Sequence, residues 1–366
     1  MPALAGTERP MRVVVTGASG NVGTALVQAL AGHPAVTSVT GVCRRPHEWR
    51  PAGVEWSWAD VGSTSLEPVF EGADAVVHLA WLFHPMRRAA ATWQSNVVGS
   101  ARVFAAAGRV GVQSVVHASS VGAYSARVDL QPVPESWPTD SVPQAAYSRE
   151  KAYVERLLDR HEREHPEQRV VRLRPAFTFR AEAAEQQRRL FLGPFLSRRV
   201  LRPGRVPVLP LPSALRLQAI HTSDVVAAYV AAVTGDASGA FNVAGTPTLG
   251  PAELGEILRA RPTHVPAGAL RAATSAAFRG RLIPTAPELF DLLMQVPMMS
   301  TERAHGELGW QPTTTAEDAI RSFLESPVDV DTPSTPPLDP GTSGPARSHE
   351  IATGIGSRAD SGGGAH

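Results

Sequence analysis

Residues 11–16 read M-R-V-V-V-T, a β-branched run closed by the glycines Gly17, Gly20 and Gly23. A short apolar run ended by turn residues predicts a strand covered on both faces, as in a parallel sheet. Residues 22–30 then carry apolar side chains at helical spacing, and residues 36–43 are again β-rich. Further strand candidates lie at 75–79, 114–118 and 170–173, separated by helix-length segments at 92–110 and 147–163. Regular alternation of strand and helix predicts an α/β fold built on a doubly wound parallel sheet.

The texture changes after Pro175. Residues 180–189 are polar, 203–212 are proline-rich, and 220–233 and 240–243 resume as a helix and a strand. This divides the chain into a flexible N-terminus at 1–10, a core at 11–175, and a smaller substrate-side region at 176–325 that returns elements to the core. The remaining stretch, 326–366, is dominated by Pro, Gly, Ser and Thr. With almost no large apolar residues it cannot offset its ordering entropy, so a disordered tail is expected. No internal repeat is visible.

Composition narrows the classes. A chain of 366 residues with 43% apolar and 19% charged positions reads as a soluble globular protein. Its net charge of +1 gives no reason to expect nucleic acid or an acidic membrane as a partner. The one cysteine, Cys43, excludes an intrachain disulfide framework and a multi-cysteine metal site, and fits a reducing cytoplasm. No run approaches the ~18 apolar residues of a membrane span, and no leader-like segment opens the chain.

The segment Thr16-Gly-Ala-Ser-Gly-Asn-Val-Gly23 joins the first strand to the first helix. There, residues without Cβ let backbone N–H groups approach a pyrophosphate, which points to a dinucleotide. Gly17, Ser19, Gly20, Asn21 and Val22 are the candidate contacts. An acidic residue about 20 positions on would bind the ribose of NAD. No Asp or Glu occurs between Asn21 and His47; Arg44 and Arg45 stand there instead. Guanidinium groups suit a 2′-phosphate, so NADP is preferred over NAD.

Among 35 cationic side chains Lys151 is the only lysine, and it follows Tyr147 by four residues. On a helix that spacing puts phenol and ammonium on one face. A nearby cation is expected to lower the phenol pKa and make Tyr147 a usable general acid or base. Upstream, Val115-Val-His-Ala-Ser-Ser-Val-Gly-Ala-Tyr124 runs from a strand into small hydroxylated residues, where open α/β sheets bind ligands. Ser120 is the candidate to orient a substrate oxygen beside Tyr147. Two plainer readings are weighed with these. His161-Glu-Arg-Glu-His165 matches a zinc-hydrolase pattern, but it sits at a charged helix end before Pro166 and is read as solvated, with no metal site. Asp224 is expected to cap the helix at 225–233, and His78, His117 and His221 to be core or rim histidines.

These residues, with others in order, resemble the extended short-chain dehydrogenases/reductases, the NAD-dependent epimerase/dehydratase family. The matches are T-G-A-S-G-N-V-G, Asp60-Val61, V-V-H-L-A at 76–80, N-V-V-G-S at 96–100, Ser119-Ser120 ahead of Tyr124, and Tyr147-x-x-x-Lys151. They continue with Arg174-Pro175, I-H-T-S-D at 220–224, F-N-V-A-G at 241–245 and L-G-W-Q-P at 308–312. The resemblance implies a Rossmann fold. It also implies that Asp60 and Val61 contact the adenine side, that Leu79, Ala80 and Trp81 lie by the pyrophosphate and ribose, that Lys151 binds the nicotinamide ribose, and that Pro175 lies by the carboxamide. Tyr147 becomes the general acid/base and Ser120 its partner.

The departures narrow the reaction. Val121-Gly122 stands where sugar-nucleotide dehydratases carry Asp-Glu, Leu217-Gln218 where epimerases carry Arg-Asp, and Val296-Pro-Met-Met-Ser300 where Arg-Pro-Gly-Asp is usual. The expected activity is therefore an NAD(P)-dependent oxidoreductase acting on the carbonyl or alcohol of a small molecule that is not a sugar nucleotide. Trp81, Phe83 and His84 are candidates to line its pocket. The alternatives are an epimerase or isomerase that retains its cofactor, and a dinucleotide-binding protein without turnover. A homodimer is compatible with the resemblance, although no distinctive patch announces it.

Overall fold

A computed structural model describes residues 10–83, 92–193, 195, 200, 202–327, 331–339, 341 and 348. His84 lies outside the described residues. Strands β1 (Met11–Thr16), β2 (Val36–Cys43), β3 (Val54–Trp58), β4 (Ala75–His78), β5 (Ser114–Ala118), β6 (Arg169–Pro175) and β10 (Gly239–Val243) form one parallel sheet in the order β10-β6-β5-β4-β1-β2-β3. The order reverses at β1, which places a crevice at the carboxyl edge between β1 and β4.

The β-branched run of β1 follows from two covered faces. Val13 and Val15 enter one core cluster with Leu26, Val27 and Leu30 of α1 (Asn21–Ala31), whereas Val14 enters another with Val76, Val115 and Phe104. Val13 to Thr16 each lose their water on one face or the other, so no polar alternation is left in that run. β10 comes from the region beyond Pro175 yet pairs in register with β6, Phe241 opposite Leu173. Two small parallel pairs stand apart from the main sheet: β7 (Phe177–Phe179) with β9 (Ala219–His221), and β8 (Val208–Leu211) with β11 (Arg261–His264).

The segment expected to be helical at 92–110 is in two parts. A π-helical stretch at Gln94–Val98 leads into an α-helix at Gly99–Arg109. The wider turn carries Asn96, whose amide side chain accepts from Leu82 N–H at 2.6 Å and donates to Leu82 O at 3.2 Å. Asn96 thereby fixes the chain that leaves β4. Its Nδ2 also donates to Glu150 at 2.7 Å.

The long helix Ala146–Glu164 presents Glu155 to a buried charge network. Arg174 donates to both Glu155 carboxylate oxygens at 2.8 and 3.0 Å, Arg172 adds a bond of 3.1 Å, and Ser119 one of 2.5 Å. Arg174 also reaches the Tyr124 hydroxyl, which donates to Asn242 Oδ1 at 2.7 Å. Motif residues far apart in sequence thus meet in one network behind the strand ends.

Burial by itself raises the Glu155 pKa, but the arginines and Ser119 overcome it and hold the carboxyl at about 2. Because this lies below the ordinary 4.5, the stabilisation is complete above about pH 5 and drains as pH falls towards 2. Glu155→Gln should cost about 3 kcal/mol near pH 7 by leaving the buried Arg174 without its carboxylate, and should flatten the acid limb. Urea unfolding of both proteins across that range checks this.

Candidate active site

The glycine-rich turn is shaped by its neighbours. Gly17 has φ +73°, and a Cβ on it would lie 2.6 Å from Ala80 N. A Cβ on Gly23 would collide with Gly17 O, so α1 could not pack down on the turn. Gly20 is the N-cap and offers no side chain, leaving the first-turn amides of α1 directed at the crevice.

A cleft of about 490 Å³ opens there. Gly17, Ser19, Gly20, Arg44, Arg45, Asp60, Val61, Leu79, Ala80 and Trp81 all line it. Asn21 and Val22 belong to the first turn of α1 behind this wall, and Pro175 ends β6 opposite Val243. Ser120, Tyr147 and Lys151 are not part of the wall either. The aromatic ring of Trp81 connects the two places, with its centroid 6.0 Å from that of Tyr147 and 3.4 Å from Lys151 Nζ. Leu82, Gln94, Ser95, Gln186, Leu190 and Pro337 also line the cleft, and no motif marked them.

Arg44 stands 3.9 Å from the Asp60 carboxylate, and both side chains are partly exposed. Cys43 is buried beneath the same strand end, where desolvation pushes its thiol up to about 11. The cleft suits the adenosine and diphosphate half of a dinucleotide. It supplies backbone donors at a helix N-terminus, a backbone approach only glycine allows, and cations at the end of β2.

Ser120 lies near enough to Tyr147 to oppose the rise of the phenol pKa, and Ser120 Oγ accepts from Gly122 N at 3.0 Å. A Cβ on Gly122 would lie 2.7 Å from Tyr147 Cε1. The absence of a side chain at Gly122 thus makes room for the phenol ring. Phe83 meets that ring edge-on at 4.9 Å and continues to Phe191 at 5.6 Å.

Lys151 departs from expectation. Its Nζ donates to Ala118 O at 2.6 Å and lies 5.9 Å from the Tyr147 ring centroid. Burial lowers its pKa to about 7, against the opposing pull of Glu155 and Glu150. Tyr147 is not acidified: burial pushes the phenol up to about 12 in spite of Ser120. The expected depression fails because the ammonium is itself desolvated and turned to a carbonyl and an indole face.

Two other expectations change. Asp224 does not cap its own helix, which runs Thr222–Thr234 and is capped by the His221 side chain. Its carboxylate instead accepts from Thr313 N, Thr313 Oγ1 and Thr314 N, holding the loop after L-G-W-Q-P. His161 is buried rather than solvated, hydrogen-bonded to Gln168, while Glu162 pairs with Arg172. Among the histidines, His78 is fully satisfied by Thr16 and Ser100, whereas His117 is buried with neither ring nitrogen bonded among the described residues. No helix among the described residues is long and apolar enough to cross a membrane.

The model of the NAD dependent epimerase/dehydratase family matches residues 13–244. The chain belongs to that family. The L-arabinose 1-dehydrogenase (NAD(P)(+)) of Haloferax volcanii is 36% identical over 110 residues, covering 30% of this chain and 41% of the relative. A putative dihydroflavonol 4-reductase of Synechocystis is 29% identical over 126 residues, covering 34% of this chain and 36% of the relative. An uncharacterised Mycobacterium tuberculosis protein is 35% identical over 114 residues, 30% of this chain and 12% of its own length. The chain therefore matches well under half the length of these relatives.

Solved structures of the family fold extend the likeness over the chain. The UDP-glucose 4-epimerase of Thermotoga maritima superposes with TM-score 0.64 at 19% identity, covering 86% of this chain and 98% of its own. MoeE5 in complex with UDP-glucuronic acid and NAD gives 0.62 at 21%, with the same coverage.

Because Lys151 is the only lysine, lysine labelled with carbon-13 gives this family member one side-chain signal. In the protein alone its titration midpoint should lie near the value of about 7 set by burial; a midpoint above pH 9 would contradict the site geometry. A depressed folded-state pKa means the unfolded chain binds more protons between about pH 7 and 10. Stability should therefore rise across that window, and Lys151→Met should remove the rise.

Proposed function

We propose that the protein is an NAD(P)-dependent oxidoreductase that transfers hydride to or from the carbon of a small carbonyl or alcohol. The observation that carries this reading is the joining of the glycine cleft to the Ser120, Tyr147 and Lys151 cluster by Trp81, within 3.4 Å of the ammonium. A bound nicotinamide supplies or accepts the hydride. Tyr147 hands a proton to the substrate oxygen in the reductive direction and takes it back in the other. Ser120 Oγ, held by Gly122 N–H, orients that oxygen. Lys151 lies one helical turn from Tyr147 and would hold the ribose of a bound cofactor through its ammonium. With ribose and a developing phenolate beside it, the ammonium regains a counter-charge, which favours its protonated form and the proton transfer.

The substrate side supports a molecule with little charge. Gln218, at a position where sugar-nucleotide epimerases carry a charged pair, is buried; its Oε1 accepts from Met299 N at 2.7 Å and its Nε2 donates to Met299 O at 3.0 Å. Both segments that would hold a sugar diphosphate are thus engaged with each other through neutral hydrogen bonds. Trp81, Phe83 and Phe191 offer apolar surface near the phenol, which favours a hydrophobic or aromatic carbonyl. For the cofactor we favour NADP, since Arg44 and Arg45 end β2 where a 2′-phosphate would lie.

Tyr147→Phe should lower turnover by about a hundredfold or more while leaving dinucleotide affinity intact, measured in a carbonyl-substrate screen with NADPH and by fluorescence titration. An active Phe variant would remove Tyr147 from the acid/base role. Alanine at Arg44 and Arg45 should weaken NADPH roughly tenfold more than NADH; equal losses would remove the NADP preference. Purification with NAD bound and no net use of added NADPH would instead favour transient oxidation by an epimerase.

A further inference from the structure

Within the stretch expected to be a disordered tail, residues 331–339 pack against the dinucleotide cleft. Thr335 and Leu338 are fully buried, and Thr335 Oγ1 donates to Ser19 O at 2.9 Å. Pro337 lines the cleft itself. From the opposite rim Arg189, on the helix Ala184–Phe191, donates to Pro337 O at 2.6 Å and Asp339 O at 2.8 Å. Gln186 and Leu190 of that helix line the cleft too. The segment therefore spans the mouth from the glycine turn to the substrate side, and it lies beyond the family match at 13–244.

We infer that residues 331–339 are a strap that completes the cofactor site and slows release of the bound dinucleotide. This rests on the dinucleotide reading of the cleft. The chemistry of the contact favours a clasp over a plug. The strap takes the Ser19 carbonyl, an acceptor that a phosphate cannot use, and leaves the donors at the N-terminus of α1 available to anionic oxygens. It is also cheap to order. Pro333, Pro336 and Pro337 fix their φ angles in advance, and the turn closes on itself through Leu338 N and Asp339 N to Thr335 O at 3.0 and 2.8 Å. Few anchors are then enough to hold a segment with little apolar surface.

The test uses the full chain and NADPH. In Leu338→Asp, which evicts the buried leucine, NADPH dissociation measured by chase with excess NADP+ should be about tenfold faster or more. Thr335→Val keeps the shape, removes the hydroxyl and should give a rise of about fivefold. In the unaltered protein, saturating NADPH should slow amide hydrogen exchange across 331–339, a reading that stands even where a variant does not fold. Unchanged dissociation rates, unchanged exchange, or tighter NADPH binding once the segment is evicted would each overturn the strap. If the unaltered chain binds neither NADPH nor NADH, the dinucleotide reading falls and the strap with it.

Discussion

A desolvated ammonium organises the candidate site of this molecule. Lys151 sits at the carboxyl edge of the sheet with Ala118 O on one side and the Trp81 ring on another, and burial alone would drive off its proton. Two carboxylates, Glu155 and Glu150, oppose that loss. Each is itself fixed from a different element: Glu155 by Arg174, Arg172 and Ser119, Glu150 by Thr92 and Asn96. The charge balance of one side chain therefore ties together β5, β6, the π turn and the long helix. Arginine at this position would bring a planar group that cannot lose its proton, which explains why a chain otherwise built with arginine carries lysine here.

The cofactor end depends on a different constraint, the absence of side-chain volume. Gly17 lets the turn touch the chain leaving β4, Gly23 lets α1 settle on the turn, and Gly122 makes room for the Tyr147 ring. Beyond β6 a neutral clasp holds two segments together, with Gln218 as backbone partner for Met299 through both its amide oxygen and its amide nitrogen.

Most elements were legible because both faces of the sheet are covered. The runs at 11–16, 36–43 and 114–118 are strands at those bounds, since their β-branched residues concentrate where the strand is buried. β3 was missed because Val54–Trp58 is an edge strand with half-exposed, mixed residues. The π turn at Gln94–Val98 leaves no periodicity to read over five residues. Asp224 was misassigned since a carboxylate at a helix start suits local capping, and only the fold brings Thr313 and Thr314 to it. The segment 331–339 escaped notice because composition weighs average apolar content, whereas a proline-stiffened strap needs only Thr335 and Leu338.

By itself the sequence determined the strand–helix alternation, the glycine turn at the first crossover and the one-turn separation of Tyr147 from Lys151. These are local facts, set by residue size, backbone freedom and helical period. The tertiary structure decided what those groups experience. It buried Lys151 against a backbone carbonyl and an indole face, raised Tyr147 instead of lowering it, and laid Trp81 between the two halves of the site. The physical reason is that desolvation and charge pairing depend on every element packed around a group, and in this protein those elements come from positions far apart in the chain, as Tyr124 and Asn242 are at a separation of 118 residues.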